Sequence, residues 1–220
     1  MGRSKNPEQT VEQILNISAK LFVDKGYDKT SVQDILDSLG ISKGGLYHHF
    51  NSKEEILEAV LKRRSQYVSD MLNEIIKNTS AKNAKEKLEK ILFHIATDKE
   101  THVLNTVVNT QMKNPQFVIT ELTDSVNIDA PIISKLIEAG IQDGSLSTTE
   151  PTLCAEVFLL LLNFWTNPTF FGRNFSETEK RLKYLQALMG LLGVDVLSDE
   201  LLSLLRKLYQ KMNAFSNQEK

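Results

Sequence analysis

Residues 30–50, TSVQDILDSLGISKGGLYHHF, restrict the fold of this chain more than any other stretch. Thr30 and Ser31 are hydroxyl residues that can cap the start of a helix. Apolar side chains then recur at helical spacing, at Val32, Ile35, Leu36 and Leu39. One face of this helix is therefore buried. Gly40 ends it, because glycine adopts the left-handed conformation at little cost. The pattern predicts two short helices joined by a tight turn.

The second helix, over about residues 43–49, begins after the capping residue Ser42 and places Leu46 in the core. A glycine inside a helix costs about 1 kcal/mol relative to alanine, so two glycines here favour close approach of the backbone to another surface. The polar side chains beside them can donate hydrogen bonds to phosphates or to base edges in a major groove. The exposed surface comprises Lys43, Gly44, Gly45, Tyr47, His48 and His49. This composition predicts a helix that reads duplex DNA.

These residues also have plainer interpretations. The two glycines could form an ordinary loop, and Tyr47 could be a core aromatic residue. His48 and His49 could bind a metal ion, but adjacent helical residues diverge by about 100° and no third ligand is nearby in the sequence. We therefore predict neither a metal site nor a cofactor.

A third helix begins almost immediately after Phe50, with Asn51 or Ser52 as its capping residue. Ser52 and Glu55 have the spacing of a capping box, in which each side chain accepts a hydrogen bond from the other residue's backbone. Lys53 lies in the first turn of this helix, where we expect it to contact a DNA phosphate.

The chain resembles the TetR family of bacterial transcriptional regulators over roughly residues 10–61. The matching residues are Ile14, Ala19, Leu21-Phe22, Gly26-Tyr27, Thr30-Ser31-Val32, Ile35, Gly40 to Gly44, Leu46 to Phe50 and Ser52 to Glu55. The resemblance implies an all-helical, dimeric protein that a small ligand usually releases from DNA. It also implies DNA contacts at Thr30, Ser42, Lys43, Gly44, Gly45, Tyr47, His48, His49 and Lys53. Gly45 departs from the family pattern, since many members have a larger residue there, and this puts one base contact in doubt.

The whole chain is predicted to be all-α, because no strand pattern is present and Pro115, Pro151 and Pro168 mark breaks between helical stretches. Helices are predicted over residues 7–25, 53–77, 84–98, 102–112, 116–121, 130–142, 152–166, 176–192 and 198–214. We expect an N-terminal three-helix helix-turn-helix domain over residues 1–53. A larger C-terminal helical bundle over residues 54–220 would bind the ligand and form the dimer.

Two apolar runs in the C-terminal part suggest a dimer interface. Residues 157–165 are apolar nearly all round, and residues 184–192 repeat pairs of apolar side chains. Two such helices and their copies would form a four-helix interface, although a monomer core is the alternative. Dimerisation would also let two reading helices bind a palindromic operator together.

A ligand pocket is expected between helices of the C-terminal part. Its candidate lining combines aromatic and methionine side chains with a few polar groups: Phe93, His102, Gln111, Met112, Phe158, Asn163 and Trp165. Such a lining suits a small apolar or amphipathic effector. Each residue taken singly is also compatible with a core or surface position.

The charge of the chain does not by itself indicate a nucleic-acid partner. The net charge is −2, and the first 65 residues hold ten Lys/Arg and nine Asp/Glu. Any positive field must therefore be local, and its expected sources are Arg3, Lys5, Lys43 and Lys53. Arg3 and Lys5 could equally form a solvated tail.

Other sequence features favour a cytoplasmic protein without a membrane segment. The single cysteine, Cys154, excludes an internal disulfide and is expected to be buried and inert, with a redox role as the alternative. The longest apolar run, residues 157–162, is far shorter than the ~18 residues of a membrane-spanning helix. The N-terminus has no signal-peptide core.

These observations predict a dimeric, ligand-responsive transcriptional repressor that binds double-stranded operator DNA. One alternative is a helical adaptor that binds protein and uses the helix-turn-helix as a scaffold. The other is an enzyme whose site assembles only in three dimensions. We expect no enzymatic activity, because the sequence contains no phosphate-binding loop, metalloprotease motif, nucleophile elbow or CxxC pair.

Overall fold

The computed structural model describes residues 7–98, 111, 115–212 and 214–215. Within these ranges the chain is helical and contains no strand, which confirms the predicted all-α class. The helices are α1 Pro7–Lys25, α2 Val32–Leu39, α3 Lys43–Tyr47, α4 Lys53–Asn78, α5 Ala84–Thr97, α6 Pro115–Asp124, α7 Ala130–Gln142, α8 Pro151–Leu160, α9 Pro168–Phe171, α10 Phe175–Leu191 and α11 Asp199–Lys211. Two π-helical turns, Ser125–Asp129 and Leu161–Trp165, follow α6 and α8.

Some predicted elements differ from those in the structure. The second helix of the helix-turn-helix ends at Tyr47, two residues earlier than predicted. The regular α-helical hydrogen-bonding pattern stops there, because the Leu46 carbonyl accepts the N–H groups of both His49 and Phe50, at 2.9 and 3.0 Å. The helix predicted over residues 102–112 lies outside the described residues, apart from Gln111.

The first compact unit contains α1, α2, α3 and the part of α4 up to Met71. Its core is formed by fully buried side chains from all four helices, among them Ile14, Phe22, Ile35, Leu46, Ile56 and Val60. The early turns of α4 therefore share one core with the helices before them. The boundary predicted at residues 53 and 54 stays a prediction, and the contact-defined division lies farther along, within α4.

The second compact unit comprises, among the described residues, 72–98, 111 and those from 115 onward. Its core includes Leu88 and Ile91 of α5, Ile137 of α7, Phe158 of α8, and Leu182, Leu185 and Met189 of α10. Asp143 joins α5 to the end of α7, because its carboxylate accepts the Ala84 N–H at 2.7 Å. Hydrogen bonding from the Ser145 side chain and from the Ala84 N–H lowers the pKa of Asp143.

The described ranges contain no helix that is both long and apolar enough to cross a bilayer. Over the same residues, no group of three or more His, Cys, Asp or Glu side chains could hold a metal ion. Cys154 is buried, and that burial raises the pKa of its thiol.

Candidate nucleic-acid interface

The start of α2 is fixed by reciprocal capping. The Asp34 N–H donates to the Ser31 hydroxyl at 3.1 Å, and the Ser31 N–H donates to the Asp34 carboxylate at 2.8 Å. Lys25, the last residue of α1, reaches the same carboxylate at 2.6 Å. The Asp34 side chain thus completes the N-terminal cap of α2 and also binds the last residue of α1.

A tight turn joins α2 to α3, the helix predicted to read DNA and called the reading helix below. Gly40 has a φ of 63°, a left-handed conformation that favours glycine, and its N–H donates to the Leu36 carbonyl at 2.9 Å. Ser42 then caps α3 by accepting the Gly45 N–H at 3.2 Å. The predicted helix-turn-helix geometry is therefore present, with the predicted capping residue.

The reading helix separates core from surface as its sequence predicts. Leu46 and Phe50 are buried in the first unit, whereas Lys43, Gly44, Tyr47 and His48 are exposed. The Tyr47 side chain is 41% exposed, so the core position considered for it from sequence is not the one it occupies. The Lys43 ammonium lies 5.7 Å from the centre of the Tyr47 ring. The His48 and His49 rings meet edge to face at 5.0 Å, with His49 only half-buried.

The two glycines of α3 have no packing reason inside the described part of the chain. A Cβ atom added at Gly44 would meet nothing within 4 Å, and one added at Gly45 would make ordinary contact with the Ser42 hydroxyl at 3.5 Å. Neither residue has a positive φ. Because alanine would fit both positions and favour the helix, the absence of side chains is consistent with an external surface that approaches the backbone.

Thr30 and Lys53, both predicted DNA contacts, are engaged inside the first unit. Thr30 is buried, and its hydroxyl lies 2.9 Å from the Gly26 carbonyl oxygen and 3.2 Å from that of Leu21. The Lys53 ammonium donates to the carbonyls of Tyr27 and Thr30, at 2.9 and 3.0 Å. The structure thus gives both side chains intramolecular partners that the sequence did not reveal.

The start of α4 has only half of the predicted capping box. The Glu55 N–H donates to the Ser52 hydroxyl at 3.1 Å, as expected. The return bond goes to the preceding residue, because the Glu55 carboxylate accepts the Asn51 N–H at 2.6 Å. Together these bonds fix the corner between α3 and α4.

Tyr27 supports the same region, and sequence reasoning assigned it no individual role. Its hydroxyl donates to the Glu54 carboxylate at 3.1 Å, and its ring packs edge to face on Phe22 at 5.2 Å. Burial, reinforced by the Glu54 carboxylate, raises the pKa of Tyr27 to about 12. The phenol is therefore a neutral donor. Since 27 positions separate the partners, helical periodicity could not have revealed this contact.

The residues predicted to line an effector pocket occupy different environments. Phe158 is fully buried and Gln111 is buried, whereas Phe93 and Asn163 are exposed and Trp165 is half-buried. His102 and Met112 lie outside the described residues. A surface cleft of about 260 Å³ between α10 and α11 has a different lining: Glu179, Leu182, Lys183, Asp199, Leu202 and Arg206. The assignment of the effector site stays a prediction.

A capped helix-turn-helix with an exposed reading helix, followed by a second helical unit, defines a transcriptional regulator of the helix-turn-helix class. Residues 14–60 match the family described as "Bacterial regulatory proteins, tetR family". The chain is 28% identical over 172 residues to the biofilm operon icaADBC HTH-type negative transcriptional regulator IcaR of Staphylococcus aureus, covering 77% of this chain and 89% of that protein.

Two further comparisons agree with this match. The HTH-type transcriptional repressor KstR2 of Mycolicibacterium smegmatis is 46% identical over 56 residues, which is 26% of this chain and only 27% of that protein's length. Salmonella enterica GusR has the same fold, with a TM-score of 0.62 at 19% identity, covering 87% of this chain and 99% of that one. Residues 14–60 therefore match the tetR family of bacterial regulatory proteins, and the chain as a whole is similar to transcriptional regulators of this family in sequence and fold.

Proposed function

We propose that this regulator binds a palindromic DNA operator as a homodimer, through α3, and that a small apolar or amphipathic molecule bound in the second unit releases it. The observation that carries the proposal is the surface of α3. Two glycines with open space around them lie beside exposed hydrogen-bond donors on a helix whose opposite face is buried.

The chemistry of α3 suits a major groove. The Gly44 backbone can approach a phosphate or a base edge closely, while Tyr47, His48 and Lys43 extend around it as donors. Among the described residues Lys43 has no hydrogen-bond acceptor, so its ammonium is available to a phosphate. Specificity would come from few side chains, because the first unit has no excess of basic residues.

Exposed apolar side chains on α8 and α10 support the homodimer. Leu191 and Tyr184 of α10 are 86% and 63% exposed, and Leu153 and Val157 of α8 are 55% and 40% exposed. The buried sides of the same helices supply Phe158 and Leu185 to the core. An apolar surface of this kind marks an interaction site, and a second copy would bury it in a symmetric, self-complementary interface.

The effector proposal rests on the family and on the aromatic character of the second unit. Binding to one arrangement of the dimer would shift the spacing of its two reading helices away from the operator's. Phe93, Gln111, Phe158, Asn163 and Trp165 remain the proposed contacts among residues whose side chains are described.

Selection of bound fragments from random duplex DNA tests the proposal. We expect enrichment of a palindrome whose half-sites are centred about 10 base pairs, or a multiple of that, apart. Absence of any enriched sequence at low salt, with and without candidate effectors, would contradict it and favour the alternative of a protein-binding adaptor. Release of the selected fragment by a small apolar compound tests the effector step separately.

A further inference from the structure

The ammonium of Lys53 connects the start of α4 to the turn between α1 and α2. It lies 2.9 Å from the Tyr27 carbonyl oxygen, 3.0 Å from the Thr30 carbonyl oxygen and 4.1 Å from the centre of the Tyr27 ring. The partners are 26 and 23 positions away in the sequence. Lys53 therefore makes a tertiary contact.

The donor capacity of the ammonium is largely used by this contact. A lysine has three N–H donors, and two of them bond to main-chain carbonyls. The aromatic face adds a cation–π attraction. The helix dipole is unfavourable for a positive charge in the first turn of a helix. The two carbonyls and the Tyr27 ring therefore stabilise the Lys53 ammonium where its own helix does not.

The turn that Lys53 holds is the segment that positions α2. Thr30 ends this turn, its N–H bonding to the Tyr27 carbonyl at 3.2 Å, and the next residue, Ser31, caps α2. The hydrogen bond from the Tyr27 hydroxyl to Glu54 is a second link between the same turn and α4. Because α2 and the tight turn after it lead into α3, these two links contribute to the placement of the reading helix on α4, together with the shared core and the bonds at the α3–α4 corner.

We propose that Lys53 is a positioning residue for DNA recognition: its ammonium holds the α1–α2 turn on α4 and so sets the placement of the reading helix. This inference rests on the proposed function. It differs from the expectation, taken from the family resemblance, that Lys53 acts as a direct phosphate contact.

A phosphate contact, a positioning role and a purely structural role of Lys53 would change DNA affinity, salt dependence and stability in different ways. Loss of a phosphate contact weakens binding to all duplexes alike and lowers the salt slope by about 0.9. Loss of positioning weakens operator binding about tenfold, equivalent to one well-aligned base contact, and leaves random-sequence duplex binding and the salt slope unchanged. A purely structural role lowers thermal stability and leaves the affinity of the folded protein unchanged.

The experiment compares Lys53→Met with the matched control Lys43→Met, in the full chain, at a temperature where each variant is folded. Fluorescence anisotropy is measured against the fragment selected by the wild type and against a random-sequence duplex, over a series of salt concentrations. Lys53→Gln, which keeps one side-chain N–H donor group, replaces Lys53→Met if the latter does not fold.

We expect Lys53→Met to lose about tenfold in operator affinity with an unchanged salt slope, and Lys43→Met to lower the slope. A lowered slope with equal loss on both duplexes in Lys53→Met overturns the proposal, and so does an unchanged operator affinity. Failure of the wild type to prefer any duplex would instead refute the proposed function, so the two failures are distinguishable.

Discussion

Lys25 and Asp34 form an ion pair at 2.6 Å that joins the last residue of α1 to the first turn of α2. The ammonium of Lys25, together with the N–H and hydroxyl of Ser31, holds the pKa of the Asp34 carboxyl well below its usual range. The ionised form of this carboxylate therefore stabilises the arrangement of α1 and α2.

The first prediction concerns the acid sensitivity of this corner. Because the folded pKa of Asp34 is lowered, its stabilising contribution is fully present above the ordinary aspartate pKa of about 4 and is lost progressively as the pH falls from there through the lower folded pKa. Asp34→Asn should thus lower the free energy of unfolding at neutral pH and have less effect at about pH 3. Urea unfolding of both proteins at the two pH values measures this difference. Lys25→Met removes the main cause of the lowered pKa, so in that background the difference between the effects of Asp34→Asn at the two pH values should become smaller. An equal effect of Asp34→Asn at both pH values would contradict the stabilising role of the ionised carboxylate.

The local features of this corner could be predicted from sequence, and the tertiary ones could not. Apolar spacing, Gly40 and Ser42 all act within a few residues, so they indicated both helices and the turn between them. Thr30 and Lys53 have the residue types of DNA contacts, but their intramolecular partners depend on how α1, α2 and α4 pack. Periodicity contains no information on such contacts. The early end of α3 has a similar cause, since the double use of the Leu46 carbonyl is a feature of the packed corner.

The second prediction separates stability from DNA binding at Gly44. Since a Cβ atom there meets nothing within 4 Å, Gly44→Ala should raise the free energy of unfolding by up to about 1 kcal/mol through helix propensity. The same methyl group should weaken operator binding, because it stands where the DNA approaches. Thermal unfolding and anisotropy titration measure the two effects. Gly190→Ala is a reference for the gain in stability alone, because Gly190 is helical with equally open surroundings but lies on α10, in the proposed dimer interface. Unchanged binding in Gly44→Ala would argue against close backbone approach.

The third prediction uses the exposure of Tyr47. Tyr47→Ala should reduce operator affinity by about 1–3 kcal/mol, the range for a base contact, with thermal stability and dimerisation nearly unchanged. Phe50→Ala is the contrasting variant: Phe50 is buried in the core of the first unit, so its loss should cost about 3–5 kcal/mol of stability. A large stability loss in Tyr47→Ala would mean that the phenol is a packing residue after all.

The fourth prediction compares two glycines with the same backbone conformation. Gly193 and Gly144 have φ values of 79° and 76°. A Cβ atom at Gly193 would come within 2.5 Å of the Ser147 hydroxyl and 2.9 Å of the Ser147 carbonyl carbon, whereas one at Gly144 meets nothing within 4 Å. Gly144→Ala should cost about 1–2 kcal/mol for the left-handed conformation, and Gly193→Ala about 1–3 kcal/mol more for the overlap with backbone. Chemical denaturation measures both. Equal losses would mean that the segment containing Ser147 moves away freely.

The fifth prediction tests the proposed dimer through Leu191, the most exposed large apolar side chain among the described residues. Leu191→Asp should dissociate the dimer, because it would bury an unpaired carboxylate in an apolar interface. Operator affinity should fall with it, since two linked reading helices bind far more tightly than one. Sedimentation velocity and anisotropy titration on the same samples relate the two effects.

Ile119→Asp is the control for this prediction. Ile119 of α6 is 56% exposed but lies on neither α8 nor α10, so its change should leave the dimer intact. Loss of assembly in Ile119→Asp alone would move the interface to α6, and operator binding by monomeric Leu191→Asp at wild-type affinity would refute the need for two reading helices.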